Sequence, residues 1–409
     1  MTINSEKWIK SLPNEWSITK IGNHFKCRNE KVNDTDYPPL SVAKQGVVPQ
    51  IETVAKTDAN DNRKLVLMND FVINSRSDRK ESCGLSKLNG SVSLINHVLY
   101  QNGQDYYMPF VGILFKNYGF AEEFYRWGHG IVADLWTTRW QEMKNIEIPL
   151  PPLKEQKLIF DFLTNRTSKI DQLISNQEKQ IEKLKEYRQA IITKAVTKGL
   201  DPNVPMKDSG VEWIGKIPCT WEILRLKYCF SVRNEKYENG NYDYVALENV
   251  ESFSGKYIAT ESNAFYSLAE TIRANRNDVI FGKLRPYLSK AFLIAKDCYV
   301  SSEFAVLYGL GGNRTSFLKY LLISSKFIDV INSSTYGTKM PRANIDFIRN
   351  LGIVIPDVKT QKEIVNYLDE TCSKIDWLID VKVKKIAQLS NYKKSLIYEY
   401  VTGKKRVSL

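Results

Sequence analysis

Arginine and lysine gather at two matching places in this 409-residue chain. Asn69-Asp70-Phe71-Val72-Ile73 runs into Asn74-Ser75-Arg76-Ser77-Asp78-Arg79-Lys80, and Asn277-Asp278-Val279-Ile280-Phe281 runs into Gly282-Lys283-Leu284-Arg285-Pro286-Tyr287-Leu288-Ser289-Lys290. The guanidinium fork donates two parallel hydrogen bonds, which suits phosphate oxygens and guanine edges. One such loop alone reads as a solvated charged turn, but the same placement in both halves points to nucleic acid. The candidates for nucleic-acid contact are therefore Arg76, Arg79, Lys80, Lys283, Arg285, Tyr287 and Lys290. A later segment, Tyr336-Gly337-Thr338-Lys339-Met340-Pro341-Arg342, adds Tyr336, Lys339 and Arg342; its looser counterpart runs from His129-Gly130 to Thr137-Thr138-Arg139-Trp140. Glycine lets backbone approach a phosphate while Tyr, Thr and Arg donate to it. An ordinary turn before a closing strand is the competing reading there.

Residues for catalysis do not assemble. Gly309-Leu310-Gly311-Gly312 is too weak for a dinucleotide fingerprint, and Thr402-Gly403-Lys404-Lys405 lacks the upstream glycine of a phosphate-binding loop. Tyr37-Pro38-Pro39-Leu40 has neither the leading Asn or Asp nor the closing aromatic of an amino-methyltransferase motif. Pro356-Asp357 with Asp380-Val381-Lys382 loosely fits a metal-nuclease spacing, but Lys382 falls on a helical seam. His24, His97 and His129 have no metal-ligand spacing. The expectation is no catalytic residue, no metal site and no cofactor held by this chain.

The element that must position the basic loops is a long helix. From Pro152 the chain continues for over forty residues without Gly or Pro, until Gly199. Leu163, Ile170, Leu184 and Ile191 share one heptad position with Gln177 between them, and Ile174, Ile181 and Ala195 share the other with Arg188 between them. So narrow an apolar seam needs a partner helix. The chain supplies it at a step of 205 residues: Pro151 becomes Pro356, Gln156 becomes Gln361 and Ser168-Lys169-Ile170-Asp171 becomes Ser373-Lys374-Ile375-Asp376. The pairing positions are Ile170, Ile174, Ile181, Leu184 and Ile191 with Ile375, Ile379, Ile386, Leu389 and Leu396. Polar seam positions match in kind, Gln177 with Lys382 and Arg188 with Lys393, which fixes register at some cost in stability.

The same step relates Trp8, Pro13, Trp16, Phe25 and Arg28-Asn29-Glu30-Lys31 to Trp213, Pro218, Trp221, Phe230 and Arg233-Asn234-Glu235-Lys236. The interiors, roughly 37–140 and 242–345, align poorly. Short apolar runs at 65–67, 71–73, 92–95 and 111–115, and at 244–247, 279–281, 292–294 and 304–307, predict strands; helices are predicted over 121–127 and 316–331. Each half is thus an α+β globule followed by a long helix, joined through the turn-rich segment 199–210. The expected segments are 1–152, 153–200, 201–356 and 357–409.

A formal net charge of +12 favours a polyanionic partner. No run of eighteen apolar residues exists and the first residues are polar, so neither a membrane span nor a secretory signal is expected. Six cysteines without a Cys-x-x-Cys pair fit free thiols in a reducing cytoplasm.

Two dissimilar globules, each ending in Pro-x-x-x-x-Gln and a long Ser-Lys-Ile-Asp helix, resemble the specificity subunit of type I restriction–modification enzymes. Asp208-Ser209-Gly210-Val211-Glu212-Trp213-Ile214-Gly215-Lys216-Ile217-Pro218, the run 282–288 and Ser75-Arg76-Ser77-Asp78-Arg79 carry the likeness further, and it covers essentially the whole chain. The resemblance implies two tandem α+β target recognition domains, each reading part of a split double-stranded DNA sequence. Their helices would pair as an antiparallel coiled coil with pseudo-twofold symmetry. It also implies two methyltransferase subunits using S-adenosylmethionine and restriction/translocase subunits using ATP and Mg2+, with no membrane. Two other classes compete: a coiled-coil scaffold with no DNA role, which leaves the matched basic loops unexplained, and a recognition module of a fused restriction enzyme, which needs a metal–carboxylate cluster.

The helices then act as a ruler. Ser168 to Lys198 spans roughly 45 Å at 1.5 Å per residue, about thirteen base pairs. Dissimilar interiors imply an asymmetric bipartite target. Inserting one heptad into both helices is expected to lengthen the tolerated gap by a few base pairs. The methylated motif of the variant reads this out, and an unchanged gap would count against the ruler.

Overall fold

The computed structural model describes residues 8–51, 61–130, 136–236, 243–259, 271–335, 337 and 339–407, and of Ser77 the backbone only. Two compact units emerge, one formed by residues 1–177 with 384–409 and the other by 178–383. Two helices dominate, Leu153–Lys198 and Val358–Val401, and each gives half of its length to either unit. Each unit is therefore an α+β globule backed by two half-helices.

In the first unit, Ser17–Lys20 pairs antiparallel with the closing strand Glu147–Leu150. The central sheet has the order Phe25–Cys27, Asn96–Gln101, Phe71–Asn74, Cys83–Leu85, all antiparallel. Beside it lie an antiparallel sheet of Lys31–Val32, Arg63–Val66 and Gly90–Ser93, and the hairpin Leu40–Ala43 with Gly46–Pro49. Phe25, Phe71, Phe110, Phe115, Phe120 and Phe124 form a fully buried aromatic core, which Ile159, Leu163, Leu396 and Val401 join from the two half-helices. The expected strand over 111–115 is instead the helix Met108–Leu114. Pro109 stands in its first turn, and Phe110, Val111 and Leu114 are buried at helical spacing. A short apolar run does not by itself distinguish a strand from a buried helical turn.

The second unit repeats this plan. Glu222–Arg225 pairs with Gly352–Ile355, and the central sheet runs Phe230–Arg233, Phe304–Gly309, Val279–Gly282, Ala291–Leu293 in the same order. Its smaller sheet differs, because Tyr244–Val245 runs parallel to Cys298–Ser301, which pairs antiparallel with Thr271–Ala274. The helix predicted over 316–331 is two, Thr315–Ile323 and Ser325–Ser333, broken at the extended Ser324.

Three repeated devices explain the motifs at the ends of each half. The glutamine of Pro-x-x-x-x-Gln is fully buried and clamps helix to globule. Gln156 Nε2 donates to the Pro151 and Asp105 carbonyls at 2.8 and 2.9 Å while its Oε1 accepts from Tyr107 N at 2.7 Å. Gln361 donates to Pro356 O and Asn313 Oδ1 and accepts from Arg314 N, each at 2.9 Å. Each long helix ends on a left-handed glycine set against a buried tryptophan: Gly199 (φ +78°) on Trp221, and Gly403 (φ +75°) on Trp16.

The third device is a buried ion pair. Arg28 Nε and Nη2 reach the Asp70 carboxylate at 3.0 and 3.2 Å, and Arg233 reaches Asp278 at 2.8 and 3.4 Å. Each guanidinium also lies over a tyrosine, Tyr100 at 4.7 Å and Tyr308 at 4.9 Å. The carboxylates hold both arginine pKa values above the ordinary value.

The helices pair antiparallel within each unit. In the first, Lys393 Nζ meets Asp171 at 2.6 Å and Phe162 packs on Tyr400 with centroids 4.7 Å apart. In the second, Arg188 faces Asp376 at 3.6 Å and Lys382 Nζ donates to Gln180 at 2.5 Å. The aspartate of each Ser-Lys-Ile-Asp motif is thus the partner of the seam cation on the other helix. Ile170, Ile375 and Leu396 are buried; Ile174, Ile181, Leu184, Ile191, Ile379, Ile386 and Leu389 are half-buried.

Candidate nucleic-acid interface

Each basic loop leaves the third strand of its central sheet, and the backbone joins it to the late segment of the same unit. In the first unit Thr138 N donates to Ser75 O at 3.1 Å, Arg76 bridges to Thr137, and His129 and Thr137 exchange two hydrogen bonds of 3.1 Å. In the second, Ala343 N donates to Lys283 O and Arg285 N to Pro341 O, both at 2.8 Å, while Leu284 bridges to Arg342. The two pairs of segments identified separately in the sequence are therefore one surface in each unit. A short 3-10 turn carries the tip in both, Ser77–Arg79 and Pro286–Leu288.

The loops rest on buried supports. Tyr125 Oη lies 3.2 and 3.1 Å from the Asn74 and Arg79 carbonyl oxygens, which share its one proton, and Thr138 Oγ1 donates to Phe124 O at 2.7 Å. In the second unit Arg285 and Ser289 both hold left-handed backbone, φ +50° and +51°, a costly state for residues with a Cβ. Ser289 is fully buried and donates through Oγ to Ile323 O at 3.3 Å. The loop tip is thus held in a set shape before any ligand arrives.

The candidate side chains divide by environment. Arg76, Arg285 and Lys339 are exposed and make no ion pair among the described residues. Arg79 lies 3.5 Å from Asp78, Lys80 lies 3.0 Å from Glu122, and Arg342 pairs with Glu303. Tyr287 is exposed at the tip. Lys283 is half-buried, and burial pulls its pKa below the ordinary lysine value, with Glu303 opposing and Arg342 assisting. Lys290 turns inward and donates to Leu247 O at 2.6 Å, its pKa likewise lowered by burial. Tyr336 lies outside the described residues. Among the described residues no group of three or more His, Cys, Asp or Glu could hold a metal ion, and no helix is long and apolar enough to cross a membrane.

Reading the loops by their charge passes over His97, which fixes the late segment from beneath. Its Nε2–H donates to Thr138 O at 2.7 Å, and Nδ1 is buried without a hydrogen-bond partner among the described residues. Burial lowers its pKa; Lys64 adds to this, while the Thr138 bond and Glu142 oppose it. The folded chain therefore binds fewer protons than the unfolded one below about pH 6.5. Stability present above that pH is expected to fall as pH drops through it, by at most about 1.4 kcal/mol per pH unit, until the folded pKa is reached. Denaturation midpoints across pH 5–8, compared with those of His97→Asn, measure it; parallel profiles for the two proteins would refute it.

The family model described as "Type I restriction modification DNA specificity domain" matches residues 137–183 and 221–391, more than half the chain. The MjaVIII specificity subunit of Methanocaldococcus jannaschii is 30% identical over 288 residues, covering 64% of this chain and 63% of that protein. The EcoDI specificity subunit of Escherichia coli is 21% identical over 291 residues, covering 64% and 63%. The matched region thus spans a little under two thirds of these relatives' own length. A chain from a solved structure concerned with complex assembly and conformational transition of the type I R-M system superposes with a TM-score of 0.72 at 14% identity, covering 96% of this chain and 99% of that one. The HsdS subunit from Thermoanaerobacter tengcongensis gives a TM-score of 0.50 at 16% identity, covering 97% and 99%. At those identities the likeness is one of fold. By the family match, this chain belongs to the type I restriction modification DNA specificity domain family.

Proposed function

We propose that this chain is the DNA-reading subunit of a type I restriction–modification complex, each unit reading one half of an asymmetric bipartite target in double-stranded DNA. The observation that carries the reading is the repeated surface, in which a basic loop at the end of the same sheet strand is bonded to the same late segment in both units. Arg76, Arg285 and Lys339 are its exposed cations without an ion pair among the described residues, with Arg79, Lys80, Lys283, Tyr287 and Arg342 also on it. Phosphate contacts would set position and arginine forks would read base edges. Dissimilar small sheets in the two units fit two different half-sites.

On this reading the chain is non-catalytic and works in the cytoplasm with two methyltransferase subunits and with restriction/translocase subunits. S-adenosylmethionine, ATP and Mg2+ would be used by those partners. The paired helices would set the gap between half-sites and dock the methyltransferases. Co-expression with a cognate methyltransferase subunit, followed by single-molecule sequencing of host DNA for N6-methyladenine, tests it. The expected result is a gapped motif methylated on both strands and lost when this chain is omitted. One continuous palindromic motif would overturn the bipartite reading, and a stable complex that methylates nothing would overturn the role in modification.

A further inference from the structure

We propose that Arg188 is a positioning residue: through a hairpin formed by residues 249–258 it braces the basic loop of the second unit against the helix pair. This rests on the proposed DNA role of that loop and adds how the loop is held in place.

The route is a continuous set of polar bonds within one unit. Arg188 is buried on the Leu153–Lys198 helix, yet its fork leaves the helical seam. Nη1 donates to Phe253 O at 3.1 Å and Nη2 to Ser254 O at 3.0 Å. Gln189 Nε2 adds a bond of 3.2 Å to Phe253 O. Asp376 of the opposite helix stands 3.6 Å from Arg188 Nε and takes Lys256 Nζ of the hairpin at 3.0 Å. One arginine–aspartate pair thus ties both helices to one hairpin.

From the hairpin the route continues into the loop. Phe253 N donates to Ser289 O at 3.2 Å, and Lys290 Nζ donates to Leu247 O at 2.6 Å. A Cβ built on Gly255 would stand 2.5 Å from Ala291 O, so the hairpin tip lies directly on the strand that follows the loop. Phe253 is held at φ +64°, and the loop holds Arg285 and Ser289 in the same left-handed region. Non-glycine residues persist there only where their surroundings over-determine them. Two such residues, Phe253 and Ser289, bonded directly to each other mark a junction held in shape. A cleft of about 690 Å³, lined by Glu182, Arg188, Glu251, Lys256, Ile379 and Asp380, separates much of the hairpin from the helices. Between hairpin and helices the link is therefore polar, while on the sheet side Tyr257 packs on Phe292 with centroids 6.0 Å apart and Val250 is buried.

The seam cation at the repeated position behaves differently. Lys393 meets Asp171, the counterpart of Asp376, with a single ammonium and remains partly exposed. A point charge cannot span two neighbouring carbonyls as a planar fork does.

Hydrogen exchange on the full chain, with Arg188→Met, Arg188→Lys and Lys393→Met, tests the brace. In Arg188→Met, exchange at 251–258 and at 282–290 is expected to rise by about tenfold or more, with the central strands and the loop at 75–82 unchanged. Arg188→Lys should restore part of the protection, and Lys393→Met should leave both segments as in the wild type. Faster exchange at 251–258 with no change at 282–290 would overturn the brace, as would a uniform rise across the unit in both Arg188 variants. With the methyltransferase bound, Arg188→Met should also lose about tenfold in discrimination at one half-site only. Loosened loop amides with unchanged discrimination would leave the brace standing and remove the loop from DNA reading.

Discussion

Alanine at Asp70 or Asp278 is expected to destabilise its own unit by about 3–5 kcal/mol, the cost of breaking a buried ion pair from one side. Each carboxylate is almost wholly buried, takes two bonds from Arg28 or Arg233, and accepts a backbone N–H at 2.8 Å, from Leu67 or Asn275. Removing it strands a peptide donor and, at Arg28, the guanidinium as well, whereas Arg233 keeps Glu235 at 2.8 Å, which places Asp278→Ala at the lower end of the range. Urea denaturation of Asp70→Ala and Asp278→Ala measures the loss. Replacing both partners should separate charge from shape: Arg28→Met with Asp70→Leu is expected to lose less than Asp70→Ala alone, since no charge is left unpaired. Equal losses would mean that packing, and not the ion pair, carries the site.

Removing Arg285 and Lys339 together is expected to weaken target binding by about 10- to 1000-fold, as befits one base-reading arginine and one phosphate contact. Neither side chain makes an ion pair among the described residues, so neither loss leaves an acidic partner unpaired among them. Their effects should differ in kind. Lys339→Ala should weaken all duplexes alike and lower the salt slope by about one, whereas Arg285→Ala should relax preference at one base position. Arg76→Ala should do the same at the other half-site. Binding of the complex to duplexes altered in either half-site, across a salt series, reads this out. Full affinity and an unchanged salt slope in the double variant would take these loops off the DNA.

How much of this was legible in the chain follows from the range of each signal. Heptad spacing is local, so Ile170 to Ile191 and their copies mark a pairing helix without any fold in view. The step of 205 residues equally marks two related halves, and clustered Arg and Lys after Asn-Asp-initiated strands mark two matching loops. Val111–Phe115 misled because apolar runs of that length suit either a strand or a buried turn, and Pro109 with the neighbouring bonds of Gln156 decided for helix.

By itself the sequence determined the duplication, the paired helices, the basic loops and the family likeness, because each lives in residue type and regular spacing. Only the tertiary structure decided which distant segments meet. It brought the loop at 75 to the segment at 138 and the loop at 283 to that at 343. It turned Lys290 inward while leaving Arg285 exposed, and set Arg28 on Asp70. It also carried Arg188 off its seam to a hairpin more than sixty residues away. Such contacts depend on how sheets and helices close over a core, and nothing periodic in a chain encodes them.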